Sequence, residues 1–224
     1  MQNKLKNKIE KELKRFLGQL EKRHPLSKIS PLLFKSIKKF VLRKGKRIRP
    51  VLFTIGYLGL TKKPAANFYQ SALSFELLHD FFLVHDDIVD KSILRRGKPS
   101  MHTMLNNYLK KFKQIKFNGQ DLAIVSGDVI YAIALDAFLS IRENAQRKIK
   151  ALKIFIAAAA YTGMGEFIEL LSGTKNIDKI TKQDIYRIYD YKTAYYTFAA
   201  PLSCAATLAG AGQTQSNRLR KYGI

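Results

Sequence analysis

Residues 73–90 read Leu-Ser-Phe-Glu-Leu-Leu-His-Asp-Phe-Phe-Leu-Val-His-Asp-Asp-Ile-Val-Asp, and this stretch decides the fold class. On a helix, His79, Asp86 and Asp90 share one narrow stripe, while apolar side chains cover much of the remaining surface. A helix that is apolar on most sides is buried inside a larger bundle. Carboxylates buried together repel each other unless positive charge lies between them. The stretch therefore predicts a buried helix that carries a cation site.

The same helical periodicity continues through most of the chain. Residues 4–22 place apolar side chains at the i, i+3 and i+4 positions, and Pro50 suits the first turn of another helix. No run alternates with a period of two, and no repeat, linker or shift in composition divides the sequence. We therefore expect an all-α bundle in which residues 1–224 form a single domain.

Length, charge and cysteine content limit the classes of protein to consider. The 224 residues carry 40 Lys and Arg against 17 Asp and Glu, a net charge of +23. Such an excess can attract nucleic acid, anionic lipid or a polyphosphate, although a lysine-rich solvated surface also explains it. No apolar run approaches the roughly 18 residues that a span needs, so we expect no membrane span. The N-terminus lacks an apolar signal core and Cys204 is the single cysteine, which favours a cytoplasmic location.

Two basic clusters flank the carboxylates. Residues 45–50 read Gly-Lys-Arg-Ile-Arg-Pro, and residues 95–99 read Arg-Arg-Gly-Lys-Pro. Lys46 and Arg49 fall at the start of the helix that Pro50 opens, where free backbone N–H groups also favour anions. Oxygen ligands one turn apart suit Mg²⁺, which commonly bridges carboxylates to phosphates. Solvated acids at a helix end would explain an isolated pair, but the basic clusters favour two polyphosphate sites.

These segments resemble the signatures of the trans-isoprenyl diphosphate synthases, the polyprenyl synthetase family. Residues 85–90, His-Asp-Asp-Ile-Val-Asp, resemble its first aspartate-rich motif, and both basic clusters stand in the family's order. Further along the chain, three more segments agree with it: Ser-Gly-Asp at 126–128, Gly-Glu-Phe-Ile-Glu-Leu at 165–170 and Tyr-Lys-Thr-Ala at 191–194. The resemblance implies an isoprenoid-synthase-type helical bundle around a central cavity.

The resemblance also implies a role for each matching residue. Asp86 and Asp90 would hold Mg²⁺ against the diphosphate of an allylic substrate. Asp87 would contribute to the metal site from outside the directly bound ligands. Three further residues would serve the allylic side: Arg95, Lys192 and Thr193. The cationic site for isopentenyl diphosphate would consist of Lys46, Arg49, His79 and Arg96. Of the whole set, the catalytic residues would be Asp86, Asp90, Lys192 and Thr193.

The implied enzyme is a prenyltransferase that joins an allylic diphosphate to isopentenyl diphosphate by ionisation, condensation and elimination. Phe82 lies one turn before Asp86, with Phe81 beside it, so these two rings would form the floor of the prenyl cavity and limit the product to C15 or C20. Core packing is the alternative role for both rings. By the same resemblance we expect a homodimer that binds no nucleic acid.

The sequence departs from the family pattern most strongly towards its C-terminus. The family carries a second aspartate-rich motif, and no such motif follows Asp90 here. We therefore expect a C-terminally incomplete bundle with poor turnover. Glu166 and Glu169 also stand where glutamine and aspartate are common.

Three other classes of protein share part of this pattern. A non-catalytic partner subunit, or an inactive fragment, would explain the missing motif. A terpene cyclase shares the metal chemistry but needs no isopentenyl site. A basic nucleic-acid-binding protein would explain the net charge but not the acids within an apolar helix.

Overall fold

The computed structural model describes residues 2–223, which are helical over most of their length. The chain divides into two compact units. Unit 1 comprises Met1–Arg47 and Tyr69–Ser140, and unit 2 comprises Ile48–Phe68 and Ile141–Ile224. The all-α prediction agrees with this content, and the prediction of a single domain stays a prediction.

Unit 1 contains six complete helices and one short hairpin within its described part. The helices are α1 (Gln2–Arg23), α2 (Leu26–Ile29), α3 (Pro31–Val41), α6 (Ser74–Val89), α7 (Met101–Leu109) and α8 (Gly119–Leu139). The strands β1 (Leu94–Arg95) and β2 (Lys98–Pro99) pair antiparallel between α6 and α7. A short helix, α5 (Phe68–Ala72), crosses the boundary between the units.

The apolar stripe predicted for residues 4–22 lies on α1. Its buried members are Ile9, Leu13, Phe16, Leu17 and Leu20. The lysines between them stay exposed because they fall on the opposite side of the helix. Helix α1 therefore contributes a row of core side chains to unit 1 and a basic outer face.

Helix α8 is fixed at its start by a capping box. The Asn118 side chain accepts hydrogen bonds from the backbone N–H groups of Gln120 and Asp121, and the Asp121 carboxylate accepts one from the Asn118 N–H. From there α8 packs along α6 and α7. At the far end of α8, the Ser71 hydroxyl donates to the carbonyl oxygen of Phe138 over 3.0 Å. This packing holds α6, the predicted carboxylate helix, within unit 1.

Unit 2 is built from helices of several kinds. They are α4 (Ile48–Leu58), α9 (Ala145–Ser172), a 3₁₀ turn (Ile177–Lys179), α10 (Lys182–Ile188), a π-helical segment (Tyr189–Ala199), α11 (Ala200–Leu208) and α12 (Gln213–Tyr222). Helix α9 packs on the π segment and on α11, and α4 packs on α11. Gly56 permits the last contact, because a Cβ there would lie 3.1 Å from the Ala205 side chain.

Two helices, α8 and α9, are long and apolar enough to cross a membrane when length and composition alone are considered. Core helices of soluble proteins meet the same criterion. Helix α8 also buries nine residues in unit 1, with Ile130, Ala134 and Phe138 fully covered. The expected lack of a membrane span therefore stays a prediction.

Candidate active site

The predicted carboxylates lie at the C-terminal end of α6. Asp87 is fully buried and Asp86 is partly covered, while Asp90 is exposed and caps the helix with its backbone N–H bonded to the Asp86 carbonyl over 2.8 Å. The C-terminus of a helix carries partial negative charge, so three carboxylates there repel both each other and the helix dipole. This end of α6 therefore attracts cations strongly.

Arg95 supplies one such cation from strand β1. Its Nη2 lies 2.9 Å from Asp86 Oδ2, and its Nε donates to Asp87 Oδ1 over 2.6 Å. Burial raises the pKa of Asp87, and the hydrogen bond and charge of Arg95 offset only part of that rise. The second oxygen of Asp87 is buried without a hydrogen-bond partner in the described structure. The structure thus brings three predicted residues together, with Asp86 and Asp87 held by one guanidinium.

Arg96 follows in the tight β1–β2 turn, where Arg96 and Gly97 both have positive φ angles. Its guanidinium lies against Gly45, since a Cβ at that position would come within 3.1 Å of Arg96 Nη1. Arg96 Nη2 also lies 3.8 Å from Glu76 Oε1. One member of the predicted isopentenyl diphosphate site therefore packs directly against the residue that precedes another member, Lys46.

A buried ion-pair network fixes the loop that carries Lys46. Arg47 is almost fully buried with φ +54°, and it donates to Glu76 over 2.5 Å, to Glu10 over 2.8 Å and to the Arg43 carbonyl over 2.6 Å. Burial lowers the pKa of Arg47. The charge of Glu76 and the hydrogen bond to Glu10 together raise it by more, so the pKa lies above its ordinary value. The buried guanidinium thus leaves the neighbouring Lys46 side chain exposed.

Two aromatic residues, Phe81 and Phe82, precede the carboxylates on α6. The Phe81 and Phe82 rings have centroids 5.0 Å apart, and Phe81 also contacts Tyr131 of α8 at 5.1 Å and His85 at 4.6 Å. Both phenylalanines are partly accessible. His79, one of the predicted isopentenyl diphosphate ligands, lies on the same helix and is likewise partly covered. The role of the two rings as a cavity floor stays a prediction.

Helix α8 approaches this part of α6 very closely. A Cβ at Gly127 would overlap the His85 ring, with Nδ1 at 2.8 Å, and the other ring nitrogen lies 3.8 Å from Asp128. Local packing therefore explains the residue types of the Ser-Gly-Asp segment at 126–128. Its glycine makes room for the histidine that precedes Asp86, and its aspartate adds a carboxylate beside that ring.

Unit 2 carries the remaining predicted residues. Arg49 lies on α4, where its Nη2 donates to the Thr197 hydroxyl over 2.7 Å and its guanidinium lies 4.2 Å from the centroid of the Tyr196 ring. Its Nε is buried without a hydrogen-bond partner in the described structure. Arg49 is therefore anchored to the π segment by one hydrogen bond and one cation–π contact.

Lys192 also belongs to the π segment. Its ammonium pairs with Glu166 at 2.7 Å and with Glu169, and both carboxylates lie on α9. Burial lowers the pKa of Lys192, but hydrogen bonds to the two glutamates outweigh it and hold the pKa above its ordinary value. The backbone of Lys192 lies so close to α9 that a Cβ at Gly165 would come within 2.5 Å of its N atom. The following residue, Thr193, is exposed.

Several of these partners were not predicted from sequence as functional residues. Glu166 and Glu169 were noted only as departures from the family pattern, yet they hold Lys192, and their i, i+3 spacing on α9 was the available signal. Glu10 and Glu76 were missed because they are 66 residues apart in the chain and meet only through Arg47. No local sequence pattern predicts such a contact.

Asp86 and Asp90 have the chemistry to hold Mg²⁺. Within residues 2–223 no cluster of three or more His, Cys, Asp or Glu side chains is arranged as a complete metal site. Mg²⁺ needs no such cluster, since it commonly binds one or two carboxylates together with water and substrate phosphates. Neither Asp86 nor Asp90 is fully buried. The donor set therefore fits a hydrated ion shared with a phosphate group.

Comparison with known proteins identifies the family. The profile described as "Polyprenyl synthetase" matches residues 30–224. A short chain isoprenyl diphosphate synthase of Methanocaldococcus jannaschii is 31% identical over 163 residues, which are 73% of this chain and 42% of that protein. A geranylgeranyl diphosphate synthase of Methanosarcina mazei is 26% identical over 85% of this chain and 54% of its own length. The chain belongs to the polyprenyl synthetase family, and it spans about half the length of these curated relatives.

Solved structures confirm the predicted fold class. The chain superposes on a geranylgeranyl pyrophosphate synthase of Corynebacterium glutamicum, solved with isoprenyl diphosphate and magnesium, with a TM-score of 0.87 and 24% identity. The match covers 100% of this chain and 64% of the other. A second synthase, from Geoglobus acetivorans, gives a TM-score of 0.82 at 22% identity. The all-α fold of the isoprenyl diphosphate synthases is therefore the fold of this chain.

Proposed function

We propose that this chain belongs to a prenyltransferase that condenses an allylic diphosphate with isopentenyl diphosphate. The observation that carries the proposal is the cluster at the end of α6, where Asp86 and Asp87 share Arg95 and Asp90 faces solvent. A site with this mixture of carboxylates and a guanidinium suits a diphosphate that binds with a divalent cation. Family membership supports the same reaction class.

Asp86 and Asp90 would hold Mg²⁺, with Asp87 oriented behind them by Arg95. When bound, this ion supplies positive charge that stabilises the diphosphate as it leaves. Lys192, which is paired with Glu166 and Glu169 and has a pKa above its ordinary value, would reach the allylic side through its ammonium. Arg95 would add a guanidinium on the allylic side, and the exposed Thr193 would lie near the developing allylic cation.

The overall reaction balances without a side-chain base. The allylic C–O bond breaks with its electron pair going to the diphosphate, and the double bond of isopentenyl diphosphate attacks C1 to form the new C–C bond. Loss of a proton from the adduct, taken by the released diphosphate, gives an allylic diphosphate longer by one isoprene unit. Lys46, Arg49, His79 and Arg96 would bind the diphosphate of the attacking substrate. Curated relatives named as geranylgeranyl diphosphate synthases support a product of C20, within the predicted C15 or C20 range.

Calorimetry with a non-hydrolysable allylic diphosphate analogue tests the proposal. The chain should bind the analogue in Mg²⁺ and lose that binding in chelator, and Asp86→Ala should abolish the Mg²⁺-dependent part because Asp90 alone leaves the diphosphate charge unbalanced. Asp178→Ala is the matched control, since it removes an exposed carboxylate from the 3₁₀ turn.

Unchanged affinity in Asp86→Ala would remove Asp86 from the site. Turnover is measured in the same preparations with labelled isopentenyl diphosphate, and we expect it to fall well below an ordinary enzymatic rate of about 1 s⁻¹ because the second aspartate-rich motif is absent from these 224 residues. Analogue binding with no turnover at all would favour the non-catalytic partner subunit or the inactive fragment.

A further inference from the structure

The segment between α7 and α8 has a composition that neither the fold nor the proposed reaction uses. Residues 110–118 read Lys-Lys-Phe-Lys-Gln-Ile-Lys-Phe-Asn, and every one of them is exposed. Four lysines alternate with three large apolar side chains, and the segment contains no acidic residue. Phe112 and Phe117 are 48% and 47% exposed, and Ile115 is 40% exposed. We call this segment the 110–118 loop.

The C-terminal end of the 110–118 loop is anchored against α7. Gly119 donates its backbone N–H to Asn106 Oδ1 over 2.7 Å, and its Cα lies so near α7 that a Cβ would come within 2.5 Å of the Asn106 N atom. Asn118 caps α8. The exposed apolar side chains of the loop therefore lie between two helices, α7 and α8, that are in direct contact at Asn106 and Gly119.

The 110–118 loop lies towards the carboxylate end of α6. Helices α6 and α8 run antiparallel, with Ser71 near Phe138 at one end and His85 against Gly127 nearer the other. From Gly127 back to Gly119 the axis of α8 rises about 12 Å. The loop therefore projects beyond the helix end that bears Asp86, within the same unit.

We propose that the 110–118 loop is a docking surface for membranes that contain anionic phospholipid. Lysines close to such a surface are attracted by its negative potential, and phenylalanine and isoleucine side chains insert at the boundary between headgroups and acyl chains. Lysine stems can lie along apolar surface while their ammonium groups reach the headgroups. The Lys111 ammonium already lies 3.8 Å from the centroid of the Tyr108 ring, which keeps charge and aromatic surface together.

The composition favours lipid over nucleic acid as the partner. Single-stranded nucleic acid is bound by aromatic rings that stack on bases and often by arginine, whereas the 110–118 loop has no arginine and one of its three apolar groups is the aliphatic Ile115. The proposal is independent of the proposed function, because it concerns adsorption to a surface without any substrate.

Vesicle co-sedimentation of the whole chain, without substrate, tests the proposal. The chain should bind phosphatidylcholine vesicles that contain phosphatidylserine and should not bind vesicles of phosphatidylcholine alone. Replacing the four loop lysines by glutamine should weaken binding by about tenfold or more, since each lysine near an anionic surface contributes to the attraction. The variant is Lys110→Gln/Lys111→Gln/Lys113→Gln/Lys116→Gln.

A matched control removes the same charge from the exposed face of α1. It is Lys4→Gln/Lys11→Gln/Lys14→Gln/Lys22→Gln, in which all four lysines are exposed. This control should keep most of the binding. The apolar variant Phe112→Ser/Ile115→Ser/Phe117→Ser should bind only at low ionic strength, because it retains charge attraction, which salt screens, but has lost insertion. Circular dichroism confirms that each variant keeps its helices.

Three results would overturn the proposal. The first is equal binding to neutral and anionic vesicles, and the second is parental affinity in both loop variants. The third is an equal loss in the α1 control, which would make the effect one of net charge. A labelled polyuridylate that competes with the vesicles and depends on the same four lysines would reassign the 110–118 loop to nucleic acid.

Discussion

At the scale of single residues, the ion pair between Arg47 and Glu76 is buried on both sides. Arg47 is 1% exposed and Glu76 is equally covered, so neither charge can turn to water if its partner is lost. Their neighbours Lys46 and Arg96 are both predicted ligands of isopentenyl diphosphate. Glu76 contacts Arg96 directly and is linked to Lys46 only through the adjacent Arg47.

Glu76→Ala should lower the free energy of unfolding by about 3–5 kcal/mol, because it leaves a guanidinium buried without its main partner. Urea unfolding followed by circular dichroism measures the change. Glu12→Ala is the control, because Glu12 pairs with the well exposed Arg15 and such surface pairs contribute about 1 kcal/mol or less. Equal and small losses in both variants would show that Arg47 is satisfied by Glu10 and carbonyl groups alone.

The two phenylalanines before Asp86 provide a second prediction. Phe81→Ala/Phe82→Ala should shift products to longer chains, because removing both rings deepens the cavity in which the prenyl tail grows. Labelled products sized by chromatography report this even when turnover is slow. Phe75→Ala removes a fully buried ring from the same helix and should lower stability while leaving product length unchanged. If the double variant behaves like Phe75→Ala, the rings are packing residues.

The roles of the carboxylates and cations stay predictions, but the meeting of those that are close in sequence could be predicted from their spacing along the chain. Asp86, Asp87 and Arg95 are close in sequence and meet in the structure, as a single turn between helix and hairpin requires. Counter-charges that are distant in the chain could not be predicted from the sequence. The two glutamates around Lys192 lie 23 and 26 residues before it, and only the packing of α9 on the π segment reveals that they meet.

At the scale of elements, α9 and the π segment approach each other very closely at one glycine. Gly163 has no atom within 4 Å of a built Cβ, whereas a Cβ on Gly165 would come within 2.5 Å of the backbone of Lys192. The two glycines are two residues apart on one helix, so they share the same local propensity but face different surroundings.

Gly163→Ala should raise the free energy of unfolding by up to about 1 kcal/mol, since alanine is the better helix former and meets no obstacle. Gly165→Ala should lower it, because the backbone of the π segment cannot move aside as a flexible side chain would. Chemical denaturation of both variants gives the comparison. A gain in both would mean that α9 and the π segment separate easily.

Helix boundaries followed from the sequence where a residue type enforces them. Asn118, a residue type that favours N-caps, caps α8, and the periodic stripe of residues 4–22 lies within α1. No feature of the sequence of residues 189–199 predicts their π-helical winding. Hydrogen bonding from residue i to i+5 cannot be predicted from composition, because it depends on how the neighbouring helices pack.

At the scale of the whole molecule, the expected homodimer stays a prediction, and α9 carries an exposed apolar stripe that suits an interface. Ile149 and Ile156 lie seven residues apart, on one stripe of the helix, and are each about half exposed. Further along the same helix, Met164 and Phe167 are exposed as well. A row of apolar side chains of this extent is typical of a protein interface.

Sedimentation velocity should therefore give a species of twice 25.6 kDa. Ile149→Glu/Ile156→Glu should shift it to the monomer, because association would then bury two unpaired charges. Ile29→Glu places a charge on a single exposed apolar residue of α2 and should leave the dimer intact. A dimer that survives in the α9 variant would assign the interface to another surface.

The π segment makes this part of the chain sensitive to its own length. A stretch bonded from i to i+5 holds more residues per turn than an α-helix, so loss of one residue would let Tyr189–Ala199 relax into regular α-helical winding. Because the wider turns already contain the extra residue, the flanking helices would stay nearly in register, and the residues inside the segment would move relative to α9. Lys192 would then lose its alignment with Glu166 and Glu169, although every side chain of that trio would still be present. Over these eleven residues, spacing along the chain is under stricter constraint than residue identity, and we expect homologous chains to tolerate substitutions here far more readily than gaps.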